Sequence, residues 1–124
     1  MLRSFYDFVL RRDQFFLICI GSISGALLRF KVNNDFIANV FGSGFLGLIS
    51  GFTISSRFQV FLVLGFCASL TTFSGLILDA FLMINSGLLF QAIGLICITM
   101  LAGFLSLTLG FLIGQRIRRL FSSL

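Results

Sequence analysis

The charged residues of this chain are separated by long charge-free runs, and these runs limit which folds are open to it. Runs of 15, 21, 21 and 36 residues lie between Asp13 and Arg29, Asp35 and Arg57, Arg57 and Asp79, and Asp79 and Arg116. A helix needs about 20 apolar residues to cross the hydrocarbon core of a bilayer. The runs therefore predict an all-α membrane protein, a single domain over residues 1–124 with four transmembrane helices at about residues 14–30, 36–54, 58–84 and 88–114.

The composition supports this and excludes several classes of function. Hydrophobic residues make up 58% of the chain and charged residues 10%, whereas a soluble domain averages about 25% charged residues. The chain has no His and no Glu, which excludes His–carboxylate hydrolases and His-ligated metal sites. The three cysteines fall in different apolar runs and lack the spacing of metal ligands. We therefore do not expect an enzyme.

The basic residues indicate how the chain is oriented. Four spans place both termini on one side of the membrane, together with the loop that carries Arg57. Seven of the nine basic residues then lie on that side: Arg3, Arg11, Arg12, Arg57, Arg116, Arg118 and Arg119. Lys and Arg near helix ends favour the cytoplasm. We expect a multi-pass protein of the cell's inner (plasma) membrane with cytoplasmic termini.

Many of the 13 glycines are spaced four residues apart. The pairs are Gly21 with Gly25, Gly47 with Gly51, and Gly110 with Gly114. Small residues at this spacing let membrane helices approach closely, because lipid provides no hydrophobic drive for helix association. Helix packing explains the presence of most of these glycines. A bundle of four helices buries little polar surface within one chain, so we expect an oligomer.

The centre of the predicted third helix, residues 67–75, is unusually polar. Four hydroxyl residues, Ser69, Thr71, Thr72 and Ser74, occur within six positions. A regular helix tolerates Ser and Thr because their hydroxyls bond to a carbonyl one turn earlier. Four hydroxyl residues within six positions are more than an ordinary membrane helix contains for this reason. Irregular backbone at membrane depth persists only where protein or water shelters it. The cluster predicts a break in the third helix whose freed groups face an ion.

Two further features have two interpretations each. Asn39, with Ser43 one turn later, either joins helices by hydrogen bonds or donates its amide to a permeating ion. Asp79, the only charge within the long apolar stretches, either marks a pore or caps the third helix. The 18 phenylalanines mostly face lipid, but a ring edge carries partial positive charge and an inward-facing ring stabilises an anion.

Three segments, one in each of the first three predicted helices, carry a family resemblance. Residues 21–30, GSISGALLRF, resemble the GxxxGAxxRY opening of the CrcB/Fluc fluoride channels. Residues 39–47 resemble the NxxGSxxxG pattern of the same family, and residues 65–74, GFCASLTTFS, resemble its GFCGGxTTFS signature.

The resemblance implies a fold, a function and a set of site residues. It implies an antiparallel dimer with two narrow pores that export fluoride passively and keep cytoplasmic fluoride low. It implies a structural Na+ that is not transported and is held by the main-chain carbonyls of Ala68 and Thr71. The implied fluoride pore comprises Asn39, Ser43, Thr72, Phe73, Ser74, Thr99, Ser106, and Leu76 in place of the family's second pore phenylalanine. The implied packing and interface residues are Gly21, Gly25, Arg29, Gly42 and Gly47.

Departures from the family pattern lead to a more specific hypothesis. Ala68 replaces a glycine and would be strained if that position needs a positive φ. Leu76 offers an anion nothing comparable to an aromatic ring, and Gly44 stands where the family commonly has Phe. The seven-to-two charge bias also opposes insertion in both orientations. The sequence therefore predicts one half of a heterodimer, paired with a related chain of opposite orientation that supplies missing pore groups; otherwise the partner is a second copy.

Two other functions compete with the channel. A small four-helix proton-coupled multidrug exporter needs a membrane-embedded carboxylate in its first helix, and the charge-free run there contains none. A non-conducting partner subunit is consistent with Leu76, whereas the polar centre of the third helix argues against it.

Overall fold

The structure, a computed structural model, describes residues 12–52 and 54–123, and every regular element in those residues is helical. The elements are α1 (Arg12–Val32), α2 (Asp35–Gly51), α3 (Ser56–Gln59), a π-helical segment (Val60–Cys67), α4 (Ala68–Leu70), α5 (Phe73–Asn85) and α6 (Leu89–Ser122). The elements from α3 to α5 follow one another along residues 56–85, which we call the third rod.

Three stretches of the described chain are long and apolar enough to cross a membrane: Gln14–Val32, Ser56–Asn85 and Leu89–Ser122. The helix α2 is also apolar but has only 17 residues. Arg3 and Arg11, which entered the orientation argument, lie outside the described residues.

Two helix ends differ from the sequence-based prediction. The helix α2 ends at Gly51 rather than near residue 54, and the amide of Phe52 donates to the carbonyls of Leu48 and Ile49 in an extended conformation. The helix α6 continues past Gly114 to Ser122. The helix therefore extends beyond the predicted span, because arginine is a good helix former and a cation suits a helix C-terminus.

The turns on the side of Arg29 rely on asparagine and glycine. Asn33 has a φ of 48°, in the left-handed region that Asn tolerates better than most residues. The side chain of Asn34 caps α2, because its Oδ1 accepts a hydrogen bond from the amide of Ile37 at 3.0 Å. Gly87, with a φ of 80°, makes the turn between α5 and α6. These residues bring consecutive helices side by side.

Glycines lie at the closest contacts between the helices. A Cβ at Gly21 would lie 3.0 Å from the Cα of Gly65, so α1 and the third rod pack backbone to backbone there. A Cβ at Gly25 would clash with the carbonyl of Phe66 in the same contact. On the other side of the bundle, a Cβ at Gly47 would meet the carbonyl of Leu107 in α6. The bundle therefore has two tight seams, α1 with the third rod and α2 with α6.

Candidate functional site

The third rod is interrupted at Thr71 and Thr72, between α4 and α5. Thr71 has φ −77° and ψ 146°, and Thr72 has φ −142° and ψ 120°. Two consecutive extended residues interrupt the ladder of helical hydrogen bonds, and the helix ends they create leave main-chain groups without helical partners. Such groups need other partners at membrane depth.

Asn39 of α2 satisfies both main-chain polar groups of Thr72. The amide of Thr72 donates to Oδ1 of Asn39 at 2.6 Å, and Nδ2 of Asn39 donates to the carbonyl of Thr72 at 2.9 Å. The two residues are 33 positions apart in sequence, and Thr72 is buried. The side chain of Asn39 thus acts as a surrogate for the helical partners that Thr72 lacks.

The four hydroxyls of the polar cluster have three different roles. Ser69 and Thr71 donate back to the carbonyls of Gly65 and Cys67, as hydroxyls inside helices ordinarily do. The hydroxyl of Thr72 caps α5 by accepting a hydrogen bond from the amide of Gly75 at 3.2 Å. The hydroxyl of Ser74 is exposed and lies 3.3 Å from that of Thr72.

A cleft of about 330 Å³ opens beside the interruption. It is formed by α2, the interruption, α5 and α6, and it lies at membrane depth if the long apolar helices span the bilayer. Six of the sequence-predicted pore residues line it together, namely Asn39, Ser43, Thr72, Phe73, Leu76 and Thr99. Ser74 and Ser106 are absent from its lining.

The polar groups in this cleft suit an anion. The hydroxyl of Ser43 has no hydrogen-bond partner among the described residues, whereas the hydroxyl of Thr99 donates to the carbonyl of Leu95 at 2.7 Å. Phe73 is 63% exposed, so its ring is accessible from the cleft. Within the described part of the chain, no acidic or basic side chain lines the cleft. Its polar character comes from neutral donors and aromatic ring edges, which attract anions without trapping them by a full charge.

Comparison with known proteins assigns the chain to a family. The family model described as "CrcB-like protein, Camphor Resistance (CrcB)" matches residues 16–111. The chain belongs to the CrcB-like family.

Relatives of this CrcB-like chain carry fluoride-channel names. A protein of Prochlorococcus marinus (strain SARG) named "Fluoride-specific ion channel FluC 1" is 52% identical over 108 residues, which is 87% of each chain. A "Fluoride-specific ion channel FluC 2" of Prochlorococcus marinus (strain MIT 9313) is 41% identical over 86% of each chain. Another FluC 2, of Synechococcus sp. (strain CC9902), is 39% identical over 87% of this chain and 84% of its own length. No solved structure matches the chain.

Ser106 of this CrcB-like protein joins two helices instead of lining the cleft. Its hydroxyl donates to the carbonyl of Val40 at 2.8 Å, across the seam between α6 and α2. A Cβ at Gly44 would lie 2.5 Å from that hydroxyl oxygen. Gly44, where the family commonly has Phe, therefore leaves the space that the Ser106 hydroxyl occupies.

A second cavity, of about 660 Å³, lies on the other side of Leu76. Its lining includes three charged residues, Arg29, Asp35 and Asp79, and we call it the charged cavity. Leu76 is only 3% exposed and lines both the charged cavity and the cleft. Leu76 is the residue that the linings of the two spaces share.

Asp35 was not predicted as a site residue, although its spacing from Asn39 and Ser43 contained a signal. Asp35, Asn39 and Ser43 recur every four residues and so share one face of α2. The carboxylate of Asp35 packs directly against Gly75 in the first turn of α5, where a Cβ would clash with it. A carboxylate is favoured near the positive end of a helix. The polar face of α2 thus contacts the interruption at Asn39 and the start of α5 at Asp35.

The interruption also provides carbonyl oxygens of the kind a hard cation prefers. In a continuous helix the amide of Thr72 would donate to the carbonyl of Ala68, but here it donates to Asn39. The carbonyl of Ala68 therefore lacks its helical donor. Ala68 itself has φ −63° and ψ −32°, an ordinary conformation for any residue, so replacing the family's glycine causes no strain there. A main-chain carbonyl oxygen of this kind fits a hard cation such as Na+.

Proposed function

We propose that this chain is one subunit of a dimeric fluoride-specific ion channel, which lowers cytoplasmic fluoride by passive export. The observation that carries the proposal is the cleft at the interruption, where Asn39, Ser43, Phe73 and Thr99 meet. The names of the FluC relatives support the same assignment. A channel requires no group that reacts with its ion.

The proposed route runs from the charged cavity past Leu76 into the cleft. Arg29 is the basic residue in the lining of the charged cavity and is the group there that would contact an entering anion, whereas Asp35 and Asp79 would repel it. In the cleft, the Ser43 hydroxyl and the edge of the Phe73 ring replace part of the ion's hydration shell. Because these groups are neutral, each holds the ion weakly enough for it to move on. The fixed, narrow arrangement of donors is what we expect to favour fluoride over larger anions.

A second subunit is needed to complete this route. Phe73 is 63% exposed, and Ala68 and Ser74 beside it on the third rod are also exposed. Irregular backbone at membrane depth must be covered by protein or line a water-filled space. We propose that the partner covers this face in the opposite orientation, so that the two interruptions meet near the membrane centre.

The partner is proposed to be a related chain rather than a second copy. Seven of nine basic residues lie on one side of the predicted spans, which favours a single orientation. An antiparallel partner would then need the opposite bias. FluC 1 and FluC 2 relatives occur among the matched proteins, which supports a partner of the same family. That partner would also supply an aromatic group opposite Leu76.

A structural sodium ion forms part of the proposal. The carbonyl oxygens of Ala68 and Thr71 would hold it, and a bound cation would neutralise carbonyl dipoles brought together where the two interruptions meet. Asn39 would assist indirectly, because it keeps the amide of Thr72 away from the carbonyl of Ala68.

One observation favours a second candidate, a subunit that assembles but does not conduct. Leu76 is buried between the charged cavity and the cleft, and a leucine there gives an anion no favourable contact. In this alternative, the complete pores belong to the partner, and the cleft of this chain is only a packing surface.

Fluoride efflux from liposomes, followed with a fluoride electrode in sodium buffer, tests the proposal. The chain is reconstituted alone, with a related chain of opposite charge bias, and with that chain carrying substitutions that close its own pore residues. Liposomes loaded with chloride and liposomes without protein are the controls. We expect little efflux from this chain alone and fast, fluoride-specific efflux from the pair.

Three outcomes decide among the alternatives. Fast efflux from this chain alone would replace the heterodimer with a homodimer and retain the channel. Loss of all efflux when only the partner's pore residues are altered would favour the non-conducting subunit. Absence of efflux from both the chain and the pair would contradict the channel itself.

A further inference from the structure

An apolar groove with an arginine at one end lies on the outer surface of the bundle. It has a volume of about 500 Å³ and is formed by α1 and the start of the third rod. Its lining residues are Leu17, Ile20, Arg57, Phe58 and Phe61. This groove, which we call the Arg57 groove, shares no residue with the cleft or the charged cavity.

The groove follows from the way α1 packs against the third rod. The two run side by side and meet backbone to backbone at Gly21 and Gly65. One turn before that contact the residues are large, with Leu17 on α1 and Phe61 on the third rod. These side chains form the walls of the groove toward the end that carries Arg57.

The position of Arg57 places the groove end at the membrane interface. Arg57 separates two charge-free runs of 21 residues each, so it lies at the border between two predicted spans. Its side chain is exposed and makes no ion pair with any described residue. Among the residues that the structure describes, no acidic side chain lines the groove, and its other four lining residues are fully apolar. A cationic head beside an apolar trough matches an anionic lipid in both charge and polarity.

We propose that the Arg57 groove binds an anionic phospholipid, with the phosphate on Arg57 and an acyl chain along the trough. Guanidinium and phosphate form strong, charge-assisted hydrogen bonds. Phe58 and Ile20 are 61% and 58% exposed, and an acyl chain lying between them would cover both. The site is independent of fluoride conduction, because it lies on a different face of the bundle and requires only that the helices span a membrane.

Native mass spectrometry of the purified full chain tests this inference. The chain, with its partner if one is required for purification, is titrated with phosphatidylglycerol or with phosphatidylcholine carrying the same acyl chains. We expect phosphatidylglycerol to remain bound and phosphatidylcholine to be lost. The Arg57→Gln variant is expected to lower phosphatidylglycerol occupancy about tenfold, the size of one charge-assisted hydrogen bond.

Two further variants separate the groove from general charge and from an interface. Arg116→Gln removes an equal charge from an exposed position on α6, outside the groove. This variant is expected to leave phosphatidylglycerol occupancy unchanged. Ile20→Trp fills the trough and is expected to reduce phosphatidylglycerol occupancy without changing the fraction of dimer in the same spectra. Equal retention of both lipids, or equal effects of the two arginine variants, would overturn the proposal. So would loss of dimer in Ile20→Trp, which would identify the groove as a contact between subunits.

Discussion

The helix α2 contacts its two neighbours in opposite ways. Toward the third rod it presents a side chain, Asn39, which bonds both main-chain groups of Thr72. Toward α6 it presents almost none, because a Cβ at Gly47 or Gly51 would meet main-chain atoms of α6. Both regions are rich in small and hydroxyl residues, yet only the first contains an interrupted backbone. Small residues alone therefore do not indicate an ion path. The proposed path differs from the α6 side in having a side chain, Asn39, that replaces the lost helical partners.

The comparison implies different consequences for mutations on the two sides of α2. On the third-rod side, one hydrogen-bonding side chain holds an irregular backbone that the proposed ion route needs. On the α6 side, close backbone contact gives dispersion energy and rigidity over several turns. Variants on the first side are expected to affect flux most, and variants on the second side to affect stability most.

The largest effect is expected from Asn39→Ala. The amide and carbonyl of Thr72 would each lose a hydrogen-bond partner at membrane depth, at a cost of about 1–3 kcal/mol per group. Fluoride efflux, measured under the reconstitution condition in which the wild type conducts, is expected to fall about a hundredfold. Ser50→Ala is the control, because Ser50 only bonds back to Leu46 on an exposed face. Equal efflux from both variants would remove Asn39 from the account.

The next effect is a loss of stability in Gly47→Ala. The added Cβ would meet the main-chain carbonyl of Leu107, which can move only if α2 and α6 separate. Overpacking of this kind costs about 1–3 kcal/mol, so thermal unfolding by circular dichroism should shift downward. Gly94→Ala is the matched control, since nothing lies within 4 Å of its added Cβ. An unfolding temperature raised equally by both variants would mean that the higher helix propensity of alanine, and not the seam, determines the result.

A smaller effect is expected at the cap of α5. Thr72→Val keeps the shape of the side chain but removes the oxygen that accepts from the amide of Gly75. Loss of an N-cap costs about 1 kcal/mol, which circular dichroism would detect as a modest fall in unfolding temperature. Thr72→Ser retains the oxygen and is expected to unfold like the wild type. Equal unfolding temperatures for the valine and serine variants would show that the cap does not contribute to stability.

The smallest effect is expected at Gly44, on the α6 side. In Gly44→Ala the new Cβ displaces the Ser106 hydroxyl, which can rotate away but loses its bond to the carbonyl of Val40. The cost is about 1 kcal/mol, that of one neutral hydrogen bond. Adding Ser106→Ala to Gly44→Ala should cost little more, because the same bond is already lost. Strictly additive losses of stability would show that the two residues do not interact.

The sequence allowed the general architecture to be predicted because charge is so costly in lipid. The gaps between charges mark the helices, and the turn at Asn33 and Asn34 lies in one of the short polar segments between them. The end of α6 could not be predicted in this way, since arginines at an interface are compatible with both helix and loop. The apolar run ends near Gly114, whereas the helix ends at Ser122.

The site was partly predictable, and the limits have a physical cause. The hydroxyl cluster marked residues 67–75, and Thr71 and Thr72 are extended within that segment. The pairing of Asn39 with Thr72 depends on how α2 packs against the third rod. A polar residue in an apolar helix indicates that a hydrogen-bond partner exists, but the sequence does not indicate which residue it is. Ser106 looked like a pore hydroxyl because local sequence does not reveal which face of α6 turns toward Val40.

Fluoride efflux by two phenylalanine variants tests most directly whether the cleft is the ion path. Phe73 lines the cleft, and Phe90 is 88% exposed at the start of α6, outside it. Replacing either ring with isoleucine leaves the bonds of Asn39 and Thr72 intact. We predict that Phe73→Ile lowers fluoride efflux at least tenfold, while Phe90→Ile conducts like the wild type. Equal efflux from the two variants would contradict the proposal that the cleft is the ion path.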